Sequence, residues 1–242
     1  LSINMIKNFI PPILWKFLKK NNFRKYYALN GLDKKLEKYL NYNNGFFIEL
    51  GANDGITQSN TYFYEKKKNW NGILVEPIPH KFLECIKNRS KRNSIYCNAC
   101  VGFKYKAKFV ELMYSNLMSS PLNLSSDIQN PQQHSISGNS FLDKGEDVFK
   151  FAALASTLND LIIKSNAPNK IDFLSLDVEG AEIEVLNGID YNNYIFKYML
   201  IESRNFETIN NFLKIKNYKF LEKLSDHDYL FGYIEDMFKK KN

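Results

Sequence analysis

Short, unbroken apolar runs alternate along this chain with stripes of helical spacing, and the order of the two is regular. Residues 45–50, 72–76, 94–101, 106–113, 171–176 and 198–201 are rich in apolar positions and bounded by polar or turn-forming residues. Strands buried on both faces of a parallel sheet read this way. Between them lie segments with apolar residues on one helical face: a basic stretch at 32–42, then 59–68, 80–91 (Phe82, Leu83 and Ile86), Leu158–Lys164, 181–187 and 207–216. Thr57 or Ser59 is the expected N-cap of segment 59–68, and Thr157 or Ser156 that of Leu158–Lys164. Pro77 and Pro79 close strand 72–76, because proline cannot extend a hydrogen-bonded ladder. Two last strands, 218–224 and Asp228–Tyr233, flank the turn Ser225-Asp226-His227. Strand and helix alternating in this order predict a Rossmann-like α/β fold. Its central sheet is mostly parallel, with helices on both faces and an antiparallel strand pair at the C-terminal end.

One stretch departs from the pattern. Residues 114–148 are rich in Ser, Asn, Gln and Pro and carry few periodic apolar positions. A loop of that length inside a compact domain is commonly a functional lid or disordered, and it is expected to be an inserted lid. The chain has 242 residues, 44% of them apolar, enough for one sizeable core, and it shows no internal repeat or linker. We expect one domain over 45–235, preceded by a basic amphipathic extension over 1–44. Within that extension, residues 5–20 mix Phe9, Trp15 and Phe17 with lysines and two prolines. They are too short to span a bilayer and lack a small-residue cleavage site. They read either as a segment packed on the domain or as an anchor at the inner face of a membrane. No run of about 18 apolar residues occurs.

Charge and cysteines narrow the partners. The formal net charge is +7, from 33 Lys and Arg against 26 Asp and Glu. The cations are spread over lysine-rich helices rather than gathered in an arginine stripe, so no nucleic-acid partner is expected. An anionic glycan, a nucleotide-linked sugar or an acidic membrane surface would suit such a surface equally. Three cysteines, Cys85, Cys97 and Cys100, form no disulfide framework and point to a reducing, cytoplasmic compartment. Cys97-Asn98-Ala99-Cys100 spells C-x-x-C, but without a second pair it reads as small core residues rather than a zinc or redox motif.

The chemistry gathers where strands end. Residues 46–55 run Phe46-Phe47-Ile48-Glu49-Leu50-Gly51-Ala52-Asn53-Asp54-Gly55: a strand, an acid and a glycine-bounded turn, with Thr57, Ser59 and Thr61 opening a helix. Such a strand-to-helix turn is a nucleotide-binding device. A carboxylate at Glu49 is a poor neighbour for a pyrophosphate and a good one for a cation. S-Adenosylmethionine has an ammonium, a sulfonium and no phosphate, and Glu49 is the expected acceptor for the ammonium. Glu76 lies 25 residues beyond Gly51, near the spacing at which an acid grips ribose hydroxyls in dinucleotide folds. Asp177 and Glu202 stand at two further strand ends, so four carboxylates share the edge where open parallel sheets bind ligands. Glu182 is expected only to favour the start of the helix after it.

Four pieces together resemble the FkbM-type S-adenosylmethionine-dependent methyltransferases over residues 45–233: Phe47-Ile48-Glu49-Leu50-Gly51-Ala52-Asn53-Asp54-Gly55, Val75-Glu76-Pro77, Leu176-Asp177-Val178-Glu179-Gly180-Ala181-Glu182 and Asp228-Tyr229-Leu230-Phe231. The resemblance implies a class I methyltransferase fold and, as in many members, methyl transfer to a sugar or polyketide hydroxyl. Carried over by position, Glu49, Gly51, Asn53 and Gly55 would line the methionine and the turn, with Asp54 and Ser59 counted alongside them. Glu76 would hold the ribose, and Asn98 and Ala99 the adenine. Many methyltransferases have glycine at the middle of the turn where this chain has Asn53, and asparagine accepts left-handed backbone.

Methyl transfer from a sulfonium is an in-line displacement that needs an aligned acceptor oxygen in a water-poor site. A sugar hydroxyl also needs a base or a metal ion to loosen its proton. Asp177 is the first candidate base, Glu179 the next, and His134, in the 114–148 stretch, a further choice. Alternatively Asp177, Glu202 and Asn205, hard oxygen donors from adjacent strand ends, form a set that would hold Mg2+. Tyr62, Phe63, Tyr114 and Phe141 are candidates to stack on a sugar ring. The expected acceptor is a sugar hydroxyl in a glycan, surface polysaccharide or glycolipid. Two other classes stay open: a catalytically silent binding protein of the same fold, and an NAD-dependent oxidoreductase, against which stand the missing G-x-G-x-x-G and Glu49.

Overall fold

The structure, a computed structural model, describes residues 26–142 and 144–235; the expected membrane anchor within 5–20 lies outside them. In chain order the elements are α1 (Leu32–Leu36), β1 (Phe46–Leu50), α2 (Tyr62–Lys68), β2 (Asn71–Val75), α3 (Pro79–Asn88), β3 (Ser94–Tyr96), β4 (Ala99–Val101), β5 (Phe109–Tyr114) and β6 (Ser120–Pro121). There follow α4 (Pro131–Ser137), β7 (Phe149–Thr157), α5 (Leu158–Lys164), β8 (Lys170–Leu176), α6 (Glu182–Leu186), β9 (Ile195–Glu202), α7 (Phe206–Ile215), β10 (Tyr218–Lys223) and β11 (Asp228–Tyr233).

Seven strands form one sheet in the order β10-β11-β9-β8-β1-β2-β3. Pairing is parallel from β9 through β8, β1 and β2 to β3, and β11 runs antiparallel to both of its neighbours. Alternate residues of the central strands feed cores on opposite faces. Ile48, Ile73, Leu174 and Met199 pack on one side, and Phe47, Leu74, Phe173 and Leu200 on the other. That double burial is why these strands read as unbroken apolar runs. The chain is thus Rossmann-like α/β, as expected, and the sheet reverses its winding between β1 and β8. Among the described residues no helix is long and apolar enough to cross a membrane.

The second half of the expectation needs correction. Run 94–101, expected as one strand, is two, because the Asn98 side-chain amide donates to Leu154 O and Ser156 Oγ of β7 and draws the chain out of the first sheet. β4 then joins a second, four-stranded sheet of order β4-β7-β5-β6, with Ala99, Val101, Val110, Leu112 and Ala153 as its core. The 114–148 stretch is no featureless lid. It contains a 3-10 turn at Asn116–Met118, then β6, then α4, whose Asn130 cap accepts from the Gln133 N–H. β7 follows, a strand that its small residues Ala152, Ala153, Ala155 and Ser156 kept from reading as one. Thr157 caps α5 as expected, accepting from the Asp160 N–H. α2 begins later than expected, at Tyr62, yet Ser59 Oγ still accepts from the Thr61 and Tyr62 N–H groups.

Candidate active site

Where the winding reverses, β1 and β8 stay paired to Leu50 and Leu176 and the chain leaves them for helices on opposite faces of the sheet, so a crevice opens beyond their carboxyl ends, the usual ligand position in such sheets. It holds a cavity of about 420 Å³. Gly51, Asn53, Ser59, Asn60 and Glu76 line one side, and Asp177, Glu179, Glu202, His134 and Arg204 another. Asn98, Ala99 and Leu112 bring the second sheet to its wall, and Asn116, Met118 and Phe141 bring the insertion.

The first wall is built by the β1–α2 turn. Gly51 has φ +79°, and a Cβ there would lie 2.0 Å from the Asp177 carbonyl oxygen, so only glycine fits between β1 and β8. Asn53 takes the left-handed backbone expected of it, at φ 45°. Glu76 is buried, with Oε2 accepting from the Asn53 N–H at 2.7 Å and Oε1 from the Ile78 N–H at 2.8 Å. Burial outweighs those two donors and pushes its carboxyl up to about 7. Asn60 donates to Ser175 Oγ, while its Oδ1 is buried without a hydrogen-bond partner.

Three expectations for this wall are corrected. Glu49 lines the cavity as expected but is not an open acceptor, since its two oxygens already take Ser59 Oγ, the Asn60 N–H, Thr61 Oγ1 and Arg89 Nη1. A carboxylate has about four acceptor sites, and these are filled, so Glu49 organises the turn instead. Asp54 and Gly55 do not line the cavity. Asp54 braces the turn from outside, accepting from the Ile56 and Thr57 N–H groups and from Thr57 Oγ1. Gly55 lends its carbonyl to Arg89 Nη1 at 3.0 Å.

The opposite wall is acidic. Asp177, Glu179 and Glu202 each present a carboxylate oxygen within 4.8 Å of the others. Asp177 opens to the cavity but is otherwise walled in by protein. That enclosure, then the charges of Glu202, Glu179 and Glu182, hold its carboxyl well above the ordinary aspartate value. Glu179 sits at φ 53°, which turns its side chain toward α4, and its Oε2 lies 2.8 Å from His134 Nε2 and 3.3 Å from Arg204 Nη2. Glu182 does more than favour a helix start: its Oε1 accepts from the Val178 and Gly180 N–H groups and fixes the acidic turn. Asn205 is not part of the cluster. Its Oδ1 caps α7 by accepting from the Thr208 N–H, so Glu179 takes the place expected of it beside Asp177 and Glu202.

Of the aromatic candidates Phe141 lines the cavity, whereas Phe63 is core and Tyr114 is buried edge-on to His80. Tyr62 faces Arg89. Arg89, Asn60, Ser175 and Arg204 were missed. Arg204 follows the strand-end acid Glu202 by two residues and was findable. Arg89 lies 40 residues from Glu49, and no local signal joins them.

A ligand crevice at the switch point of a doubly wound sheet, with a glycine turn, a buried acid on one side and a carboxylate cluster on the other, is the arrangement of a Rossmann-like ligand-binding fold. The Methyltransferase FkbM domain model matches residues 49–238, and the chain belongs to that family. It is a methyltransferase, with S-adenosylmethionine as the donor the family membership brings. No curated protein matches the chain. Similar solved structures include a precorrin-6y C5,15-methyltransferase from Geobacter metallireducens GS-15, at 8% identity over 84% of this chain and 85% of that one, TM-score 0.39. Another is a SAM dependent methyltransferase from Aquifex aeolicus, at 8% identity over 97% and 99% of the two chains, TM-score 0.39.

Proposed function

We propose that the protein methylates a hydroxyl of a sugar, within a glycan, surface polysaccharide or glycolipid. The observation that carries this reading is the acidic wall: three carboxylates within 4.8 Å of one another, in the same cavity as the glycine turn and Glu76. A sugar presents several hydroxyls on one ring, and a cluster of acceptors is suited to hold them while one acid takes a proton. The donor-side residues also fit S-adenosylmethionine. Gly51 lets the turn pack against the Asp177 backbone at the cavity wall, Glu76 keeps acceptor capacity for a ribose diol, and the unpaired Asn60 Oδ1 is an acceptor that Glu49 cannot be.

When bound, S-adenosylmethionine supplies a methyl group made electrophilic by its sulfonium. The chain's own part is alignment, exclusion of water and proton removal. Asp177 is the base we favour, since its raised proton affinity matches it to a hydroxyl losing a proton under attack. His134 and Arg204 hold Glu179 in place, so Glu179 positions the acceptor and α4 closes the wall behind it. The test is turnover on a panel of glycans, read by mass. Asp177→Asn is expected to lose roughly 100-fold or more in kcat with S-adenosylmethionine affinity retained. Undiminished turnover in Asp177→Asn would remove that residue from the mechanism, and transfer to no sugar would remove the acceptor class.

A second reading takes the same three carboxylates as ligands for Mg2+, which prefers oxygen donors. Arg204 already brings positive charge to Glu179, which weighs against it. Activity abolished by a chelator and restored by Mg2+ would decide for the metal.

A further inference from the structure

Away from the cavity, the loop from β4 to β5 is set apart by pattern and exposure. Phe103-Lys104-Tyr105-Lys106-Ala107-Lys108-Phe109 alternates apolar and cationic residues. Phe103 and Phe109 are each 49% exposed, and Leu154, which pairs with Phe109 across β5 and β7, is 43% exposed. Lys104, Lys106 and Lys108 are all exposed, and none forms an ion pair among the described residues. The nearest acid along the strand, Glu111, is already paired with Lys150.

The loop is held in this presentation. Tyr105 turns inward onto the core of the second sheet, its N–H donates to Gly102 O, and its hydroxyl donates to Phe109 O and accepts from Asn123 Nδ2. The Phe103 N–H donates to Asn187 O. Scattered exposed apolar residues need no explanation, but Phe109 beside Leu154, with Phe103 at the other end of the same braced loop and three exposed lysines between, of which Lys108 lies over the Phe109 ring, does. None of these residues lines the cavity, so the surface is separable from the reaction.

We propose that this loop is a contact with an anionic lipid bilayer. Phe103, Phe109 and Leu154 enter the boundary between headgroups and acyl chains, while Lys104, Lys106 and Lys108 meet anionic headgroups, the division of labour of interfacial protein segments. The inference concerns a different face from the acceptor cavity and stands whether or not the acceptor is a sugar.

The experiment is co-sedimentation of the full chain with phosphatidylcholine vesicles, with and without phosphatidylserine. Binding to the anionic vesicles alone is expected, weakened about 100-fold in the triple variant Lys104→Gln, Lys106→Gln, Lys108→Gln and about fivefold in each single one. Phe103→Ala with Phe109→Ala should weaken it roughly tenfold. Each variant should bind S-adenosylmethionine as the parent does, which reports that the fold is intact. Parent protein that ignores anionic vesicles, or intact variants that bind them undiminished, would overturn the proposal. So would a parent that prefers single-stranded RNA to vesicles and loses that preference in the lysine variants.

Discussion

Arg89, just past the end of α3, has its side chain closed to water among Glu49, Glu65, Ser59, Thr61 and the Gly55 carbonyl. One guanidinium thus serves two buried carboxylates, at 3.2 Å from Glu49 and 2.7 Å from Glu65. Burial is the largest influence on the Glu65 carboxyl and raises it, but the Arg89 charge together with hydrogen bonds from Arg89, Asn93 and the Ser90 N–H leaves it lowered. An isolated buried carboxylate is expensive, so the arginine's removal exposes a cost far larger than the worth of either pair. Arg89→Met should therefore destabilise the fold by about 3–5 kcal/mol. In whatever remains folded, Glu49 would no longer hold Ser59 and Asn60 in register, and S-adenosylmethionine affinity should fall more than about tenfold. Urea unfolding and calorimetric titration measure the two effects. Parental values in both would show that Arg89 is a bystander. Lysine is a poor substitute, because the planar fork is what reaches Glu65, Glu49 and Thr61 at once.

The connection from β8 to α6 shows the same economy at the scale of an element. Glu179 and Gly180 both take left-handed backbone, and a side chain at Gly180 would collide with Ser126 Oγ at 2.3 Å. The insertion is therefore docked on the turn, with the Asp127 N–H donating to Gly180 O and Asp127 Oδ2 accepting from Ser203 Oγ and the Arg204 N–H. Glu182 braces the turn from within. Burial pushes its carboxyl up to about 8, against an ordinary 4.5, so it is protonated in the fold where the unfolded chain would have lost the proton. Its contribution to stability is full below pH 4.5 and is lost as pH rises through about 8. Glu76, pushed up to about 7, acts with the same sign. Melting temperature should fall between about pH 5 and 8, by the equivalent of a few kcal/mol, and the slope should flatten in Glu182→Gln, which keeps the Oε1 acceptor. An equally steep slope in that variant would place the titration elsewhere. These elements also show what the sequence made legible. β1, β2 and β8 could be read because burial on both faces leaves continuous apolar runs ending in acids. β7 could not, since what it gives the core of the second sheet is largely the small residues Ala153 and Ala155, and the β3–β4 break could not, since it turns on Asn98 bonding to residues more than fifty positions away. Glu76 and Asp177 were visible as strand ends, whereas the occupied state of Glu49 depends on partners brought by folding.

At the scale of the molecule, the cavity is where separately built parts meet. Gly51 and Glu76 belong to the first sheet, Ala99 and Leu112 to the second, and Asn116 and His134 to the insertion. A ligand that touches all three ties them together, and binding confined to the native state stabilises it by mass action. S-Adenosylmethionine at about 100 times its dissociation constant should add about 2.7 kcal/mol. For a domain of this size that corresponds to a rise of roughly 5–10 °C in Tm. Glu76→Gln should remove most of the rise, measured against the variant's own unliganded melt, because its NH2 must replace an acceptor that now serves the Asn53 or the Ile78 N–H and changes the set offered to a ribose diol. NAD provides the contrast: a pyrophosphate would meet the acidic wall of Asp177, Glu179 and Glu202, with Glu76 beside it, and should give no comparable shift. Thermal melts of parent and variant with each nucleotide test this, and an NAD-induced rise equal to that of S-adenosylmethionine would contradict the assignment of the cavity to a cationic, phosphate-free donor.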